Sequence, residues 1–143
     1  MPHMAALINA LVADPYISSH LARWDFGDGT ERPAIFTMDP APRECSNPVM
    51  VIQLDGGPPA GFRGYTGARM EFNVRIWGDQ QASLKGLRIL ATNVFTFLHR
   101  KKLTVADYIF NTIEATFPTE INDQEGFPGF EINITLLSLK GVN

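Results

Sequence analysis

The stretch Ala68–Leu98, ARMEFNVRIWGDQQASLKGLRILATNVFTFL, decides the fold because it joins the clearest strand pattern in the chain to the clearest helix pattern. Its first residues alternate between apolar and polar side chains, which is typical of a β-strand with one buried face. The apolar positions are Met70, Phe72, Val74 and Ile76, and the polar positions are Arg69, Glu71, Asn73 and Arg75. Gly78 and Asp79 end this strand, and Asp79 is the predicted N-cap of the following helix.

The predicted helix runs from about Gln80 to Lys101, and its apolar side chains recur at the spacing of one broad face. That face consists of Leu84, Leu87, Leu90, Ala91, Val94, Phe95 and Leu98. Arg100, Lys101 and Lys102 are expected in its last turn, where the helix dipole favours positive charge. Ile89 lies on the opposite, polar side and is therefore a candidate subunit contact.

Shorter patterns on either side complete the predicted fold. An apolar helical stripe from Met4 to Val12 must end near Asp14, because Pro15 disfavours helical dihedrals in the residue before it. We also expect a helical turn over 16–21, a short strand over 34–38, and longer strands over 49–54, 107–117 and 129–139. Strands grouped around one long helix predict an α+β fold: an antiparallel or mixed sheet of about four strands, with the long helix and a short N-terminal helix packed on one face.

Composition limits the classes of function. The 143 residues fit one domain, over residues 1–143, with a sizeable core. A net charge of −3 argues against a surface built to hold nucleic-acid phosphates. The single cysteine, Cys45, excludes an intrachain disulfide. No apolar run approaches the roughly 18 residues of a membrane span, and the chain start lacks a cationic signal-peptide opening, so no membrane association is expected.

A glycine-rich stretch, LDGGPPAGFRGYTG over Leu54–Gly67, lies between two predicted strands. It does not match a phosphate-binding loop, because Gly67 leads into a strand whereas such loops need a helix behind them. Its glycines and few apolar anchors predict a mobile arm over about 55–67. Phe62, Arg63 and Tyr65 are residue types enriched in interface cores, so we expect the arm to dock onto a neighbouring molecule.

Catalytic, cofactor and metal sites are not evident in the sequence. His3, His20 and His99 are scattered and lack the pair spacing of a metal site, and one cysteine cannot build a thiolate site. We therefore expect no enzymatic activity, no cofactor and no metal. The alternative is a small α+β hydrolase or ligand-binding domain that uses Asp25, Asp28 or Cys45.

The order of these elements resembles that of the tail-completion, or tail-terminator, proteins of long-tailed bacteriophages and phage-like particles. The resembling segments are ALINALVADPYIS, NPVMVIQLDGG running into the glycine-rich stretch, the Ala68–Leu98 block, and EGFPGFEINITLLSL near the end. Together they cover most of the chain.

The resemblance implies a structural virion protein of the tail or neck, assembled in the host cytoplasm. Such a protein forms a ring, usually a homohexamer, that caps the head-proximal end of the tail tube and ends tube polymerisation. It then offers a surface for head joining. Its implied partners are further copies of itself, the major tail tube protein and the head-closure or connector protein, while DNA passes through the channel without specific binding.

Two sets of residues are candidates for these contacts. The subunit or partner interface is expected to include Phe62, Arg63, Tyr65, Arg69, Glu71, Arg75 and Ile89. The acidic residues Glu120, Asp123 and Glu125 are candidates for the channel lumen, with an ordinary solvated hairpin tip as the alternative. A head-closure or head–tail adaptor ring of the neck is the alternative assembly role.

Overall fold

The computed structural model describes residues 2–38, 40–56, 59–62, 65–79 and 83–141. Its helices are α1 (Pro2–Ala13), α2 (Pro15–His20) and α3 (Leu84–Leu98). Its strands are β1 (Arg23–Asp25), β2 (Glu31–Pro33), β3 (Ile35–Phe36), β4 (Val49–Gly56), β5 (Pro59–Phe62), β6 (Tyr65–Trp77), β7 (Phe110–Ala115), β8 (Thr119–Asn122) and β9 (Pro128–Gly141).

In the described part of the chain, seven strands form one sheet in the order β3-β4-β6-β9-β7, with β5 also paired to β6 and β8 also paired to β9. The β3–β4 pair is parallel and the others are antiparallel. Strands β1 and β2 form a separate antiparallel hairpin. The predicted mixed sheet is confirmed, and its long strands β4, β6, β7 and β9 correspond to the four expected from the sequence.

All three helices contribute to one apolar layer on a single face of the sheet. Leu7 and Leu11 of α1, Ile17 of α2 and the buried stripe of α3 pack with the inward side chains of β4, β6, β7 and β9 in one cluster. The inward side chains from the sheet are Met50, Ile52, Phe72, Val74, Ile76, Ile113, Phe130, Ile132, Ile134 and Leu136. The predicted packing of helices on one face is therefore confirmed.

Helix α3 is shorter at both ends than the sequence predicts. Ser83 is its N-cap, and the Ser83 side chain accepts a hydrogen bond from the Gly86 N–H at 3.2 Å. Asp79 instead accepts a hydrogen bond from the side-chain amide of Asn47 at 2.8 Å. The helix ends at Leu98 because its C-cap His99 is extended, with φ −64° and ψ 123°, and Arg100 then adopts a left-handed conformation with φ 64°.

Arg100, Lys101 and Lys102 therefore lie beyond the last turn of α3, which corrects the expectation that they interact with its dipole. This segment runs beside β7 instead. The Arg100 N–H donates to the carbonyl of Ile113 at 2.8 Å, and Lys102 forms a bridge to Thr112. The outer edge of β7 is thus covered by a basic segment.

The proline-rich region before β4 contains a hairpin that the sequence does not predict. Strands β1 and β2 have three residues each, and Gly27 and Gly29 supply the positive φ values of the turn between them. The short strand β3 lies within the expected range 34–38. A second cluster, formed by Ala34, Phe36, Cys45, Val49 and Val51 with Trp24 and Trp77 beside it, covers one end of the second sheet face.

The glycine-rich stretch contains paired strands where the sequence predicts a loop. Strand β6 begins at Tyr65, and β5 pairs with its first four residues in an antiparallel hairpin from Pro59↔Ala68 to Phe62↔Tyr65. Strand β9 pairs with the other side of β6 as far as Tyr65↔Gly141. The hairpin is therefore a continuation of the sheet, and the mobility of the arm stays a prediction.

Candidate assembly interface

The second face of the sheet carries a polar stripe formed by β6 and β9. Because the two strands pair in register, their outward side chains stand opposite each other. The cross-strand pairs of this stripe are Arg69↔Leu137, Glu71↔Thr135, Asn73↔Asn133 and Arg75↔Glu131. The outward side chains of β9 thus extend the polar face that the alternation of β6 predicts.

The inner part of the stripe is organised within the subunit. Arg75 Nε lies 3.0 Å from Glu131 Oε2, and both side chains are only about a quarter to a third exposed. The Asn73 side-chain amide donates to Asn133 Oδ1 at 2.9 Å. Cross-strand pairs of this kind contribute roughly 0.2–1 kcal/mol each. Arg75, a predicted interface residue, therefore also holds β6 against β9.

The outer part of the stripe remains accessible. Arg69 and Glu71 lie two positions apart on β6, with an Nη2–Oε1 distance of 4.0 Å, and each side chain is more than half exposed. Exposed pairs of this geometry contribute little to stability. Their charges can instead set the register of a neighbouring molecule.

The remaining predicted interface residues lie on the hairpin and on α3. The backbones of Phe62 and Tyr65 face each other at the end of the β5–β6 pairing. Arg63 and the side chains of Phe62 and Tyr65 lie outside the described part of the structure. Ile89 is 47% exposed on the outer side of α3. Among the candidates whose side chains the structure describes, Ile89 on α3 and the polar stripe on the second sheet face therefore lie on separate surfaces.

The three acidic residues predicted for the lumen lie around the β8–β9 turn and are all exposed. Asp123 has a structural role, because its Oδ1 accepts hydrogen bonds from the N–H groups of Glu125 and Phe127 at 2.9 and 2.8 Å. Glu120 lies 3.6 Å from Arg88, and Glu125 lies 3.7 Å from Arg43. These ion pairs place the turn near α3 and the loop before β4, and as exposed pairs they contribute little to stability.

Asp25 and Asp28, which the alternative hydrolase or ligand-binding hypothesis would use, have structural roles in the β1–β2 turn. Asp25 Oδ1 accepts hydrogen bonds from the N–H groups of Gly27 and Gly29, so it closes the β1–β2 turn. Asp28 accepts from the Thr30 N–H at 3.0 Å and lies 3.3 Å from Arg32.

Cys45 is buried in the second cluster, where its thiol donates to the Ser46 carbonyl at 3.4 Å. Desolvation by burial raises the pKa of the Cys45 thiol, which disfavours the nucleophilic thiolate. Among the described residues, no group of three or more His, Cys, Asp or Glu side chains is arranged to hold a metal ion.

Two exposed apolar features were missed by sequence reasoning. Phe117 is 66% exposed in the turn between β7 and β8, although the sequence predicts it inside a strand. Phe26 and Met38 line an open cleft of about 700 Å³ between α1 and the β1–β2 hairpin. Their exposure depends on where β7 ends and how the hairpin folds back, and local residue patterns carry no signal for either.

Within the described ranges, no helix is long and apolar enough to cross a membrane. No family model matches the sequence, and no curated protein matches it. The fold is similar to that of a chain from the virion of a native gene transfer agent (GTA) particle, with a TM-score of 0.66 at 15% sequence identity. The matched region covers 94% of this chain and 92% of the other.

Proposed function

We propose that this chain is a structural protein of a phage or phage-like virion. In the proposed role, about six copies form a ring that caps the head-proximal end of the tail tube and ends tube polymerisation. The observation that carries the proposal is the similarity in fold, over nearly the full length of both chains, to a component of a gene transfer agent virion. The order of elements in the sequence, which resembles the tail-terminator family, supports the specific tail role.

The distribution of surfaces agrees with a ring subunit. A ring needs two different complementary surfaces on one chain, since each copy must contact one neighbour on each side. The accessible end of the polar stripe, at Arg69 and Glu71, lies on β6 beside the base of the β5–β6 hairpin. Ile89 lies on the helical side of the subunit. We propose that these surfaces contact neighbouring copies or the tube protein.

The proposed role is not enzymatic. Asp25, Asp28 and Cys45, which the hydrolase alternative would need, are engaged in the β1–β2 turn or buried in the second cluster.

The charge of the chain fits a channel through which DNA passes. A protein of net charge −3 avoids the counterion-release attraction that would retain DNA. We propose that Glu120, Asp123 and Glu125 face this channel. The proposed partners are the major tail tube protein on one side of the ring and the head-closure or connector protein on the other.

The experiment that tests the proposal is capping of tail tubes. Tube protein of the same particle is polymerised with and without this chain, and tube lengths and ends are measured by negative-stain microscopy. We expect shorter tubes of defined length with an added ring at one end. A variant in which residues 58–66 are replaced by a two-residue turn loses β5 and the first two residues of β6, but it keeps every residue of the main core, so it should stay folded and should not cap.

Two results would contradict the proposal. Tubes of unchanged length without added density would exclude capping. Binding to the head connector protein without binding to tube ends would favour the head-closure or head–tail adaptor role instead.

A further inference from the structure

An apolar knob projects from one edge of the sheet. It consists of the turn Thr116–Pro118 between β7 and β8, with Phe117 at its centre. The Phe117 ring contacts Phe95 of α3 at a centroid distance of 5.4 Å, which fixes the knob on the helical side of the sheet. Two thirds of Phe117 is nevertheless exposed. A large aromatic ring held in place and still exposed is typical of an interface anchor.

An apolar cleft opens at the opposite edge of the same sheet. It lies beside β3, between α1 and the β1–β2 hairpin, with a volume of about 700 Å³. Val12, Phe26 and Met38 on its walls are more than a third exposed. Its volume exceeds that of one aromatic side chain.

The knob and the cleft lie at nearly the same level along the strands. Thr116 is level with Asn133, because the Thr116 N–H donates to the Asn133 carbonyl at 2.8 Å. On the other edge, Phe36 of β3 pairs with Val51, and Val51 pairs with Arg75, which is level with Glu131. The two features are therefore two residues apart in register, or roughly 7 Å along the strand direction. A neighbouring copy placed beside this one brings its knob near the cleft.

Charges beside the two features are complementary. The basic residues Arg100, Lys101 and Lys102 follow His99, whose ring stacks on Phe95, the residue that contacts Phe117. The β1–β2 hairpin beside the cleft carries Asp25, Asp28 and Glu31 against Arg23 and Arg32, so its net charge is −1, and both Asp25 and Arg32 line the cleft. A basic segment at one edge and an acidic hairpin at the other favour head-to-tail contact between copies over contact between like edges.

We infer that Phe117 of one copy inserts into the α1–hairpin cleft of the next copy in the ring. The inference rests on the proposed ring function and identifies the contact that joins its subunits. Knob and cleft are different surfaces on opposite edges, so the contact is heterologous, and repeated with a closing rotation it gives a ring.

Cysteine cross-linking tests this contact directly. Phe117→Cys and Met38→Cys are introduced into separate chains and mixed far above the concentration at which the wild type forms rings, because Phe117→Cys removes the anchoring ring; the native Cys45 is buried and shared by every sample. The mixed chains are oxidised, and a disulfide-linked dimer of the two variants is expected in at least tenfold excess over either variant alone.

Ile109→Cys replaces Phe117→Cys in the matched control. Ile109 is as exposed as Phe117, at 69%, and lies on the same edge. Its N–H donates to the Leu139 carbonyl, six residues along β9 from Asn133, so it is roughly 20 Å from the knob. The Ile109→Cys and Met38→Cys mixture should give no dimer above background.

A second pair of variants measures assembly without cross-linking. Phe117→Ser should raise the concentration needed for ring formation at least tenfold, whereas Ile109→Ser should leave it unchanged. Rings and tube capping that persist in Phe117→Ser, with no cross-link above the control, would overturn the inferred contact and leave the proposed function standing. Cross-links only between two Phe117→Cys chains, or only to tube protein, would also overturn it. Absence of both rings and capping in the wild type would overturn the function itself.

Discussion

Gly129 lies opposite Trp77 in the β6–β9 pairing, where the strand backbone passes directly beside the indole ring. A Cβ at this position would lie 2.5 Å from Trp77 Cε3 and 2.9 Å from the Ile76 carbonyl oxygen. Both distances are too short for a methyl group, and one of the neighbouring atoms belongs to the backbone. Glycine at 129 therefore allows Trp77 to pack beside the second cluster.

Gly129→Ala should destabilise the folded chain by about 1–3 kcal/mol, because the added methyl overpacks the site. Gly86→Ala is the matched control, since its Cβ would meet only Ser83 at an ordinary 3.8 Å. Alanine in the first turn of α3 should stabilise by up to about 1 kcal/mol. Urea denaturation of the two variants measures the difference in stability. Equal midpoints would contradict the claim that a methyl group at position 129 overpacks against Trp77.

His3 is a buried polar residue at the start of α1. Its Nε2 lies 3.0 Å from Ser138 Oγ, Ser138 in turn donates to Asn111 Oδ1, and the His3 ring meets Tyr108 edge-on at 4.6 Å. Desolvation by burial, and then the positive amino terminus, lower the pKa of His3 below the ordinary 6.5. The folded state therefore disfavours protonation of His3 relative to the unfolded chain.

This burial predicts a loss of stability in acid. Well above pH 6.5 His3 is neutral in both states, so its burial carries no protonation penalty. As the pH falls below 6.5, the unfolded chain gains a proton that the folded chain does not, so the free energy of unfolding decreases until the folded-state pKa is passed. Denaturation of wild type and His3→Gln at pH 7.5 and 5.5 measures the effect. A wild-type loss no larger than that of His3→Gln would contradict it.

At the scale of elements, strands β6 and β9 and helix α3 were predictable because each repeats its period several times. Strand β6 alternates over the residues from Arg69 to Ile76, and α3 keeps its apolar stripe from Leu87 to Leu98. A period repeated this often fits only one type of secondary structure that buries all the apolar side chains on one face. The α+β architecture follows from these repeats.

Shorter elements escaped prediction for a physical reason. Strands β1, β2 and β5 have three or four residues, too few to show a period, and β2 and β5 also contain proline. They form because a longer partner or a tight turn supplies the pairing. The N-cap of α3 was misplaced because Asp79 and Ser83 are both good caps, and only Ser83 lies next to the residues that become helical.

The two faces of α3 predict opposite effects of truncation. Leu98→Ala should lower the free energy of unfolding by about 2–5 kcal/mol, because Leu98 is completely buried in the main core. Ile89→Ala, its matched control, should change monomer stability little, since its side chain is half exposed. Thermal and urea unfolding of both variants measure the two changes in stability. A neutral Leu98→Ala would mean that the main core does not depend on this face.

At the scale of the whole molecule, the polar stripe, the β5–β6 hairpin, the apolar knob and the cleft occupy different sides of one compact sheet. Sequence patterns predicted the stripe, because alternation on β6 exposes it. They did not predict the knob or the cleft, because these depend on strand ends and on residues far apart in the chain. We interpret the subunit as one whose surfaces serve contacts with copies of itself and with its neighbours in a virion.

Native mass spectrometry of the purified chain over a range of concentrations tests this interpretation most directly. The account predicts one closed species of fixed copy number, expected at six chains. Its population should grow at the expense of the monomer as the concentration rises, and no larger species should form. Monomers at every concentration, including with tube ends present, would contradict it, as would open assemblies that lengthen without limit.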